Sequence, residues 1–280
     1  MLLQRVITAL VLLPPVLGTL WFGATPLVGA VFGAVALIGV HEWAGLTLPR
    51  QADGTPAAPA LQWSCVAAAA VLIGLAIVLR ESAYAWVLVG GTCLWWLVML
   101  RWIARYPEGF GAPRAITVGA GLLVLPGTIA AVMLLHGAPG PEHHGPLRLL
   151  FALALVWAAD VGAYFAGRAF GRRKLAPRVS PGKSWEGVFG GVALALVVAV
   201  VAGHWLFGLQ GARWLPFLLL CAAVVLFSIV GDLGESVLKR AVGAKDSGTL
   251  LPGHGGILDR IDSLLAALPA MALGLKWLGL

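Results

Sequence analysis

The sequence predicts an all-α, polytopic integral membrane protein of about nine transmembrane helices, with two polar cytoplasmic loops. Hydrophobic residues make up 60% of its 280 residues and charged residues only 11%, against about a quarter in typical soluble domains. A soluble domain of this size could not bury so much apolar surface, and the mean hydropathy of +0.94 excludes a disordered chain. A transmembrane β-barrel is excluded because the apolar stretches show no alternation of apolar and polar residues.

Nine apolar runs are long enough to cross the hydrocarbon core of a bilayer, which takes about 20 residues of helix. In chain order they cover residues 4–22, 26–47, 61–79, 83–100, 116–136, 148–166, 187–209, 213–231 and 262–280. Pro14 and Pro15 interrupt the first run, and neighbouring helices can satisfy the backbone groups that a proline frees. The basic start of this run also fits a cleaved signal peptide, but no small-x-small cleavage site follows it.

The distribution of positive charge predicts the orientation. One side of the membrane would hold the N-terminus and the loops after the second, fourth, sixth and eighth runs, and fifteen of the nineteen lysines and arginines fall there. They are Arg5, Arg50, Arg101, Arg105, Arg114, Arg168, Arg172, Arg173, Lys174, Arg178, Lys183, Lys239, Arg240, Lys245 and Arg260. The other side receives Arg80, Arg148, Arg213 and Lys276. Because cytoplasmic loops are enriched in Lys and Arg, the first side is predicted to be cytoplasmic and the protein to lie in the inner (plasma) membrane.

The net charge of +7 does not require a nucleic-acid partner, and we expect none. Cations in a membrane protein gather in cytoplasmic loops and near anionic head groups or substrates. Cys65, Cys93 and Cys221 are too few for a disulfide scaffold and lie in apolar runs, which predicts that they are packing residues.

Polar residues concentrate between the last two apolar runs. Residues 228–263 contain five of the twelve carboxylates of the chain, which are Asp232, Glu235, Asp246, Asp259 and Asp262. On helices, Asp232 would share a face with Glu235, and Asp259 with Asp262, while Glu235 precedes Lys239 by four residues in the favourable order for an ion pair. Carboxylates at membrane depth are costly unless they pair or bind cations.

A glycine-rich turn, Pro252 to Gly256, comes directly before the last apolar run. Such a turn exposes backbone N–H groups, and the helix N-terminus after it favours an anion. Oxygen ligands without cysteine suit Mg²⁺, which usually binds one or two carboxylates together with substrate phosphates. The pattern therefore indicates a phosphate and Mg²⁺ site, and it equally fits a salt-bridged loop in which Asp259 or Asp262 only caps a helix.

The second polar loop, residues 167–187, holds six cations and the single carboxylate Glu186. Its segment Ser180 to Ser184 places small hydroxyls and a flexible turn beside Lys183, which suits phosphate oxygens. It is not a P-loop, because the GxxxxGK[ST] spacing is absent and no strand is predicted before it. Two further carboxylates lie inside apolar runs: Asp160 is either a structural partner or part of the polar site, and for Glu42 we favour a structural role.

These motifs resemble those of the phosphatidate cytidylyltransferases, also called CDP-diacylglycerol synthases. The family signature combines Ser, Lys-Arg and Lys-Asp with a Pro-x-His-Gly-Gly turn and Asp-Arg-x-Asp. It is matched by Ser236, Lys239, Arg240, Lys245, Asp246, Pro252, His254, Gly255, Gly256, Asp259, Arg260 and Asp262. Gly231 with Asp232 and an upstream block from Ala159 to Gly187 also fit, although Val161 stands where a hydroxyl residue is expected. The motifs cover about the C-terminal 45% of the chain.

The resemblance implies the reaction CTP + phosphatidate → CDP-diacylglycerol + pyrophosphate, dependent on Mg²⁺, with a second metal or a monovalent ion left open. It implies one continuous membrane domain, with N-terminal helices in 1–136 and a catalytic region in 148–280 whose two polar loops form the active site. CTP, phosphatidate and the lipid bilayer are then the partners. A homodimer is also implied and fits the small-residue-rich spans, although Gly and Ala pack helices within one chain too.

The roles assigned under this resemblance are hypotheses. We expect Asp232 and Asp259 as metal ligands, because they sit at facing span ends. Asp246 and Asp262 are second choices as ligands or as orienting groups. His254 would donate to the leaving pyrophosphate. Phosphate oxygens would be neutralised by Lys239, Arg240, Lys245 and Arg260, and substrate would be contacted by Ser180, Lys183, Ser184, Glu186, Gly255 and Gly256.

Two other functions remain open from the residues. A CTP-dependent kinase of a polyprenol-type lipid would need the same phosphate machinery, with Asp246 or His254 as the general base for an alcohol. A secondary transporter would use Asp160, Glu42 and Asp259 as intramembrane ion sites, but the charges concentrate at one surface and the two halves show no repeat.

Overall fold

The computed structural model describes residues 14–49, 58–108, 114–140, 143–250 and 255–280. Residues 14–22 are helical, and eight further helices follow, each long and apolar enough to cross a membrane. They are α1 (Thr25–Thr47), α2 (Pro59–Val78), α3 (Ala83–Arg105), α4 (Arg114–His136), α5 (His144–Phe170), α6 (Trp185–Trp205), α7 (Trp214–Ala241) and α8 (Leu258–Leu278). The all-α membrane fold is confirmed, whereas most of the first predicted run lies outside the described residues.

Two of the predicted polar loops are largely ordered secondary structure. Helix α5 runs to Phe170, and a short antiparallel hairpin of β1 (Lys174–Ala176) and β2 (Ser180–Ser184) fills the space before α6. Helix α7 continues ten residues beyond its predicted end at 231. The expectations of a flexible turn at 180–184, with no strand before it, and of a loop starting at 232 were therefore wrong.

The hairpin is held by a small apolar cluster on α7. Val179 is buried together with Leu233 and Val237, and Leu175 of β1 packs against them. Because a two-stranded hairpin is marginal in water by itself, this contact with α7 is what fixes its position. The backbone N–H groups of Arg172 and Arg173 donate to the Glu186 carboxylate, which ties the hairpin to the first turn of α6.

Helices α5 and α6 approach each other through glycines. A Cβ atom at Gly162 would lie 2.4 Å from the carbonyl oxygen of Gly190, and one at Gly191 would lie 2.7 Å from that of Ala159. Small residues permit such backbone contact in membranes, where packing replaces the hydrophobic effect between helices. The close approach brings Asp160 of α5 beside the start of α6 and the end of β2.

Near its proline, helix α8 is hydrogen-bonded to two helices of the N-terminal half of the chain. Pro269 has no N–H to bond the carbonyl oxygen of Leu265, four residues earlier. That oxygen instead accepts hydrogen bonds from Trp96 Nε1 of α3, at 3.0 Å, and Thr128 Oγ1 of α4, at 3.2 Å. The helix that carries Asp259 and Asp262 is therefore anchored to the helices of the 1–136 region, as internal satisfaction of backbone groups in lipid requires.

Candidate active site

A cavity of about 230 Å³ lies between α5, the hairpin, α6 and α7, and we call it the polar cavity for the charged side chains in its otherwise mostly apolar wall. Asp160, Lys183, Ser184 and Asp232 line it, together with several glycines and apolar residues. Lys183 Nζ lies 2.6 Å from Asp232 Oδ2, and both side chains are a little over one quarter exposed. Ser184 Oγ accepts the backbone N–H of Gly187 and so caps α6. We call Asp160, Lys183, Ser184 and Asp232 the cavity cluster.

Helix α7 presents its charged residues on one face. Asp232, Glu235 and Lys239 are spaced i, i+3 and i+7, so they point to the same side of the helix. The predicted ion pair between Glu235 and Lys239 is confirmed, with 2.5 Å between Oε2 and Nζ. This face looks towards α8 and links the cavity cluster to the loop before α8.

Helix α8 lies unusually close to α7 at Gly231. A Cβ atom there would come within 2.4 Å of the backbone oxygen of Asp262, so only glycine fits. The contact places Asp262 near enough to Asp232, Lys183 and Lys239 to interact electrostatically with all three. The Gly-Asp sequence at 231–232 thus serves two purposes: the glycine admits α8 and the aspartate faces the cavity.

Asp259 is surrounded by donors. Its Oδ1 lies 2.5 Å from Lys239 Nζ, and its Oδ2 accepts hydrogen bonds from the backbone N–H groups of Ser247 and Gly256 and from Ser247 Oγ, at 2.8–2.9 Å. A carboxylate offers about four acceptor positions, so these bonds nearly saturate it. Lys239 is in turn shared between Asp259 and Glu235, with 11% of its side chain exposed.

Glu42 of α1 completes this network from the N-terminal region. Its Oε1 accepts the backbone N–H of Ile257 at 3.0 Å, and its Oε2 accepts that of Leu258 at 2.7 Å, so it caps α8 with negative charge. Ser247 Oγ lies 3.1 Å from Glu42 Oε2, and Glu42 is only 7% exposed. We call Glu42, Lys239, Ser247 and Asp259 the loop clamp, because together they hold the loop before α8 against α1 and α7.

The other predicted site residues lie around these two groups. Arg240 donates to the carbonyl oxygens of Val179 in the hairpin and Ala244 after α7. Lys245, Asp246 and Arg260 are exposed on the same face. Ser180 opens β2 but does not line the polar cavity, and Glu186 accepts backbone hydrogen bonds from the hairpin.

The glycine-rich turn is described only from Gly255 onwards, so His254 lies outside the described residues. Gly255 has a φ of +79°, and a Cβ there would lie 2.8 Å from Asp259 Oδ2. A Cβ at Gly256 would collide with Ser247 Oγ and Glu42. The two glycines are therefore needed to bring the turn onto the loop clamp, whether or not they also contact a substrate.

Comparison with known proteins identifies the family. The sequence profile of the cytidylyltransferase family matches residues 3–278. The chain belongs to the cytidylyltransferase family. It is 45% identical over 279 residues to a phosphatidate cytidylyltransferase of Pseudomonas aeruginosa, covering 99% of this chain and 97% of that protein. It is 39% identical over 293 residues to one of Haemophilus influenzae, with 96% of each chain covered, and 37% identical over 266 residues to one of Brucella suis, covering 94% of this chain and 89% of that protein.

The cavity cluster fits the metal chemistry expected of a cytidylyltransferase better than the loop clamp does. No group of three or more His, Cys, Asp or Glu side chains converges as a preformed metal site within the described ranges. Asp160 and Asp232 nevertheless line one cavity beside Lys183. Mg²⁺ is usually bound by one or two carboxylates plus substrate phosphates rather than by an all-protein cage. Asp259, by contrast, already has its oxygens occupied by protein donors.

A second, apolar cavity of about 580 Å³ adjoins the polar cavity of this cytidylyltransferase. The two share Leu175 of β1, Val188 of α6 and Ile229 of α7 as wall residues. The remaining wall comes mainly from α3 and α7, including Trp96 and Leu226. A polar chamber with a neighbouring apolar one suits a substrate with a charged head and hydrocarbon tails.

Sequence reasoning did not single out Ser247, and for Glu42 it favoured a structural role without naming a partner. The role of Glu42 could not be found from spacing, because its partners are about 205 residues away in the chain. The available signal was a carboxylate inside an apolar run, which predicts a partner but does not say which one. Ser247 follows the Lys-Asp motif directly and carries no signal beyond its polarity.

Proposed function

We infer that this protein is a phosphatidate cytidylyltransferase, a nucleotidyltransferase of phospholipid biosynthesis that converts CTP and phosphatidate to CDP-diacylglycerol and pyrophosphate. Its family membership and its similarity to phosphatidate cytidylyltransferases along nearly the whole chain support this function. In the structure, the observation that carries it is the polar cavity of Lys183 and Asp232 beside an apolar cavity in the same wall. This arrangement matches phosphatidate, which joins a phosphate monoester to two acyl chains.

We propose that the phosphate of phosphatidate enters the cavity cluster while an acyl chain occupies the apolar cavity. Lys183 is the cation at the polar end, and Leu175, Val188 and Ile229 form the wall between the two environments. Lys183 would exchange its bond to Asp232 for bonds to phosphate oxygens. Both bonds are charge-assisted, and a phosphate monoester carries about −1.5 to −2 charges at pH 7 against −1 for a carboxylate, so this exchange favours the bound lipid.

The reacting groups need little proton transfer. The second pKa of a phosphate monoester is about 6, so the attacking oxygen is largely ionised at neutral pH. That oxygen forms a bond to the α-phosphorus of CTP while the bond from this phosphorus to the bridging oxygen of pyrophosphate breaks in line. The residues of the chain then have to position two polyanions and offset their repulsion, which is the main demand of phosphoryl-type transfer.

We propose that Asp232 and Asp160, the two carboxylates that line the polar cavity, hold Mg²⁺ that arrives with the nucleotide. When bound, Mg²⁺ supplies positive charge that polarises the phosphoryl group and neutralises the developing charge. Lys183 orients the lipid phosphate beside these carboxylates. Asp259 and Lys239 are assigned a positioning role instead, because Lys239 already pairs with both Asp259 and Glu235, and the second oxygen of Asp259 is occupied by protein donors.

The remaining assignments extend this proposal. Arg240, Lys245 and Arg260 are exposed at the end of α7, in the loop after it and in the first turn of α8, and we propose that they attract the triphosphate by long-range electrostatics. We propose that this face is cytoplasmic, in agreement with the bias of lysines and arginines and with the location of CTP. A homodimer is proposed on the family resemblance and on the small-residue-rich spans.

The experiment that tests the function uses CTP labelled separately at the α and γ phosphorus atoms, with purified protein, phosphatidate and Mg²⁺. Label from the α position is expected in the lipid product, with label from the γ position released as pyrophosphate. Label from the γ position in the lipid would instead identify a CTP-dependent lipid kinase. A repeat with the Mg²⁺ chelated should give no labelled lipid, and undiminished labelling there would contradict the Mg²⁺ proposal alone.

A further inference from the structure

A third cavity, with basic residues in its wall, lies at the end of the molecule opposite the candidate site. It has a volume of about 330 Å³ and lies at the C-terminal ends of α4 and α8 and the N-terminal ends of α3 and α5. Arg80, Arg148 and Lys276 line it. Lys276 stands 17 residues after Asp259 on α8, which places this cavity about 26 Å from the loop clamp along the helix.

The charges of this cavity are unusual for their side of the membrane. Only four of the nineteen lysines and arginines fall on this side by the alternation of the helices, and three of the four line this one cavity. Arg80 is paired with Glu81, with 3.0 Å between Nη2 and Oε1, so its charge is matched. No Asp or Glu side chain lies within 4 Å of the charged groups of Arg148 and Lys276 among the described residues, so three cations and the single carboxylate of Glu81 line the cavity.

Both unmatched cations are held in place by the protein. Arg148 Nη1 donates to the backbone oxygen of Leu280 at 3.1 Å, while its Nε is buried without a hydrogen-bond acceptor among the residues that the structure describes. Lys276 Nζ stands 3.6 Å from the centre of the Trp86 ring, a cation–π contact. A buried donor without an acceptor is costly, and an anion that entered the cavity would relieve that cost.

Apart from Glu81, the partner of Arg80, the other side chains of the wall are apolar. Trp86, Met133 and Leu275 contribute to it, so the cavity offers cations beside hydrocarbon surface. A soluble anion would use only the cations, whereas a phospholipid would also use the apolar part for the first segments of its acyl chains. Basic pockets between transmembrane helices bind anionic head groups in this way.

We propose that this cavity is a binding site for the phosphate group of an anionic phospholipid, in the leaflet opposite the one that the candidate active site faces. Arg148 and Lys276 bind the phosphate, Trp86 orients Lys276, and the apolar wall holds the adjoining hydrocarbon. The site is separate from the reaction of CTP and phosphatidate and does not depend on that assignment.

The test measures thermal stabilisation of the purified protein in detergent by added phosphatidylglycerol, with phosphatidylcholine and inorganic phosphate as the comparison probes. We expect phosphatidylglycerol to raise Tm in a saturable way and phosphatidylcholine to have little effect. In the double variant Arg148→Gln, Lys276→Gln the apparent affinity should fall by roughly 30-fold, because each basic residue near an anionic lipid contributes about a fivefold factor. Arg213→Gln removes the fourth cation of this side, which does not line the cavity, and should bind phosphatidylglycerol as the wild type does.

Other outcomes also decide the proposal. Equal stabilisation by inorganic phosphate would identify the ligand as a soluble phosphate rather than a lipid, because both share the phosphate chemistry. If the double variant does not fold, the charge-keeping pair Arg148→Lys, Lys276→Arg should retain the preference for phosphatidylglycerol over phosphatidylcholine. Equal effects of the two lipids on the wild type, or an unchanged affinity in the folded double variant, would overturn the proposal.

Discussion

The cavity cluster and the loop clamp contain the same kinds of residue and differ in how fully those residues are bonded. In the cavity cluster, Asp232 forms one ion pair, with Lys183, and lines the polar cavity of about 230 Å³. In the loop clamp, Asp259 accepts one ion pair and three hydrogen bonds, and Glu42 accepts two backbone N–H groups. The sequence motif makes Asp232 and Asp259 equal candidates for metal ligands, but their surroundings differ. Asp232 is open to a ligand, whereas Asp259 holds the loop before α8 in place.

The largest expected effect is on turnover, from Asp232→Asn. Removing one negative charge from the cavity should lower kcat by about 10²–10³-fold, because the group acts where charge develops in the reaction. The Tm should change little, since Asp232 is partly exposed and has one partner. Rates with labelled CTP and thermal unfolding in the same detergent check both parts, and near-normal turnover would remove Asp232 from the site.

Asp259→Asn should act on stability first. It leaves Lys239 with Glu235 alone and takes the charge from an acceptor of three hydrogen bonds, and breaking a buried pair costs about 3–5 kcal/mol. We expect a clear fall in Tm accompanied by loss of turnover. If turnover is lost while the Tm is unchanged, Asp259 belongs with Asp232 as a ligand of the reacting groups, and the comparison between the two clusters fails.

Glu42→Gln should lower the Tm and turnover less than Asp259→Asn does, because it acts on the site only indirectly, through the contact between α1 and α8. The amide keeps one neutral oxygen, so both backbone N–H groups at the start of α8 lose a charged acceptor and one of them loses its acceptor altogether, at a cost of about 1–3 kcal/mol. Because α8 carries Asp262, which interacts electrostatically with Asp232 and Lys183, we expect kcat to fall more than the KM for phosphatidate rises. Glu42→Asp, which keeps the charge but shortens the reach, should recover part of the Tm, and a fall in Tm with unaltered kinetics would leave Glu42 purely structural.

The smallest effect is expected at the surface of the hairpin. Arg178 Nη1 lies 3.2 Å from Glu108 Oε1, with 65% and 81% of the two side chains exposed. Solvent and salt screen such a pair, so Arg178→Gln should change neither the Tm nor turnover measurably. A large loss in this variant would mean that the hairpin position depends on more than its contact with Leu233 and Val237.

The sequence was sufficient for the membrane class and for most helix positions, because apolar runs of about 20 residues have few alternatives. It missed the extension of α7, since hydropathy ends a span at the first charged residue. In the structure these charged residues remain helical because each has an ion-pair partner. Asp232 pairs with Lys183 of β2, and Lys239 pairs with Glu235 and with Asp259 of α8. Those partners come from distant parts of the chain and leave no local pattern.

The candidate site was predicted as a set of residue types more successfully than as an arrangement. Motif spacing correctly grouped the charges of α7 on one face and paired Glu235 with Lys239. It could not predict that Asp259 is fully hydrogen-bonded while Asp232 is open to a ligand. The donors to Asp259, Ser247 and Gly256, reach it only because the loop before α8 folds back onto that helix. The hairpin was also missed, since its cations resemble a solvated loop and its small apolar contact with α7 is visible only in three dimensions.

The most direct test of the central claim introduces a cysteine into the wall of the polar cavity and measures whether bound substrate protects its thiol from labelling. Gly182 lines the polar cavity, and a Cβ there meets no atom within 4 Å, so Gly182→Cys should fold. The native cysteines Cys65, Cys93 and Cys221 are all buried, which keeps background labelling low.

Phosphatidate, or CTP with Mg²⁺, should slow maleimide labelling of Gly182→Cys by about tenfold or more, while the matched hairpin variant Arg178→Cys labels at the same rate with and without them. Equal labelling of Gly182→Cys in the presence and absence of both substrates would contradict the assignment of this cavity as the place where CTP and phosphatidate meet.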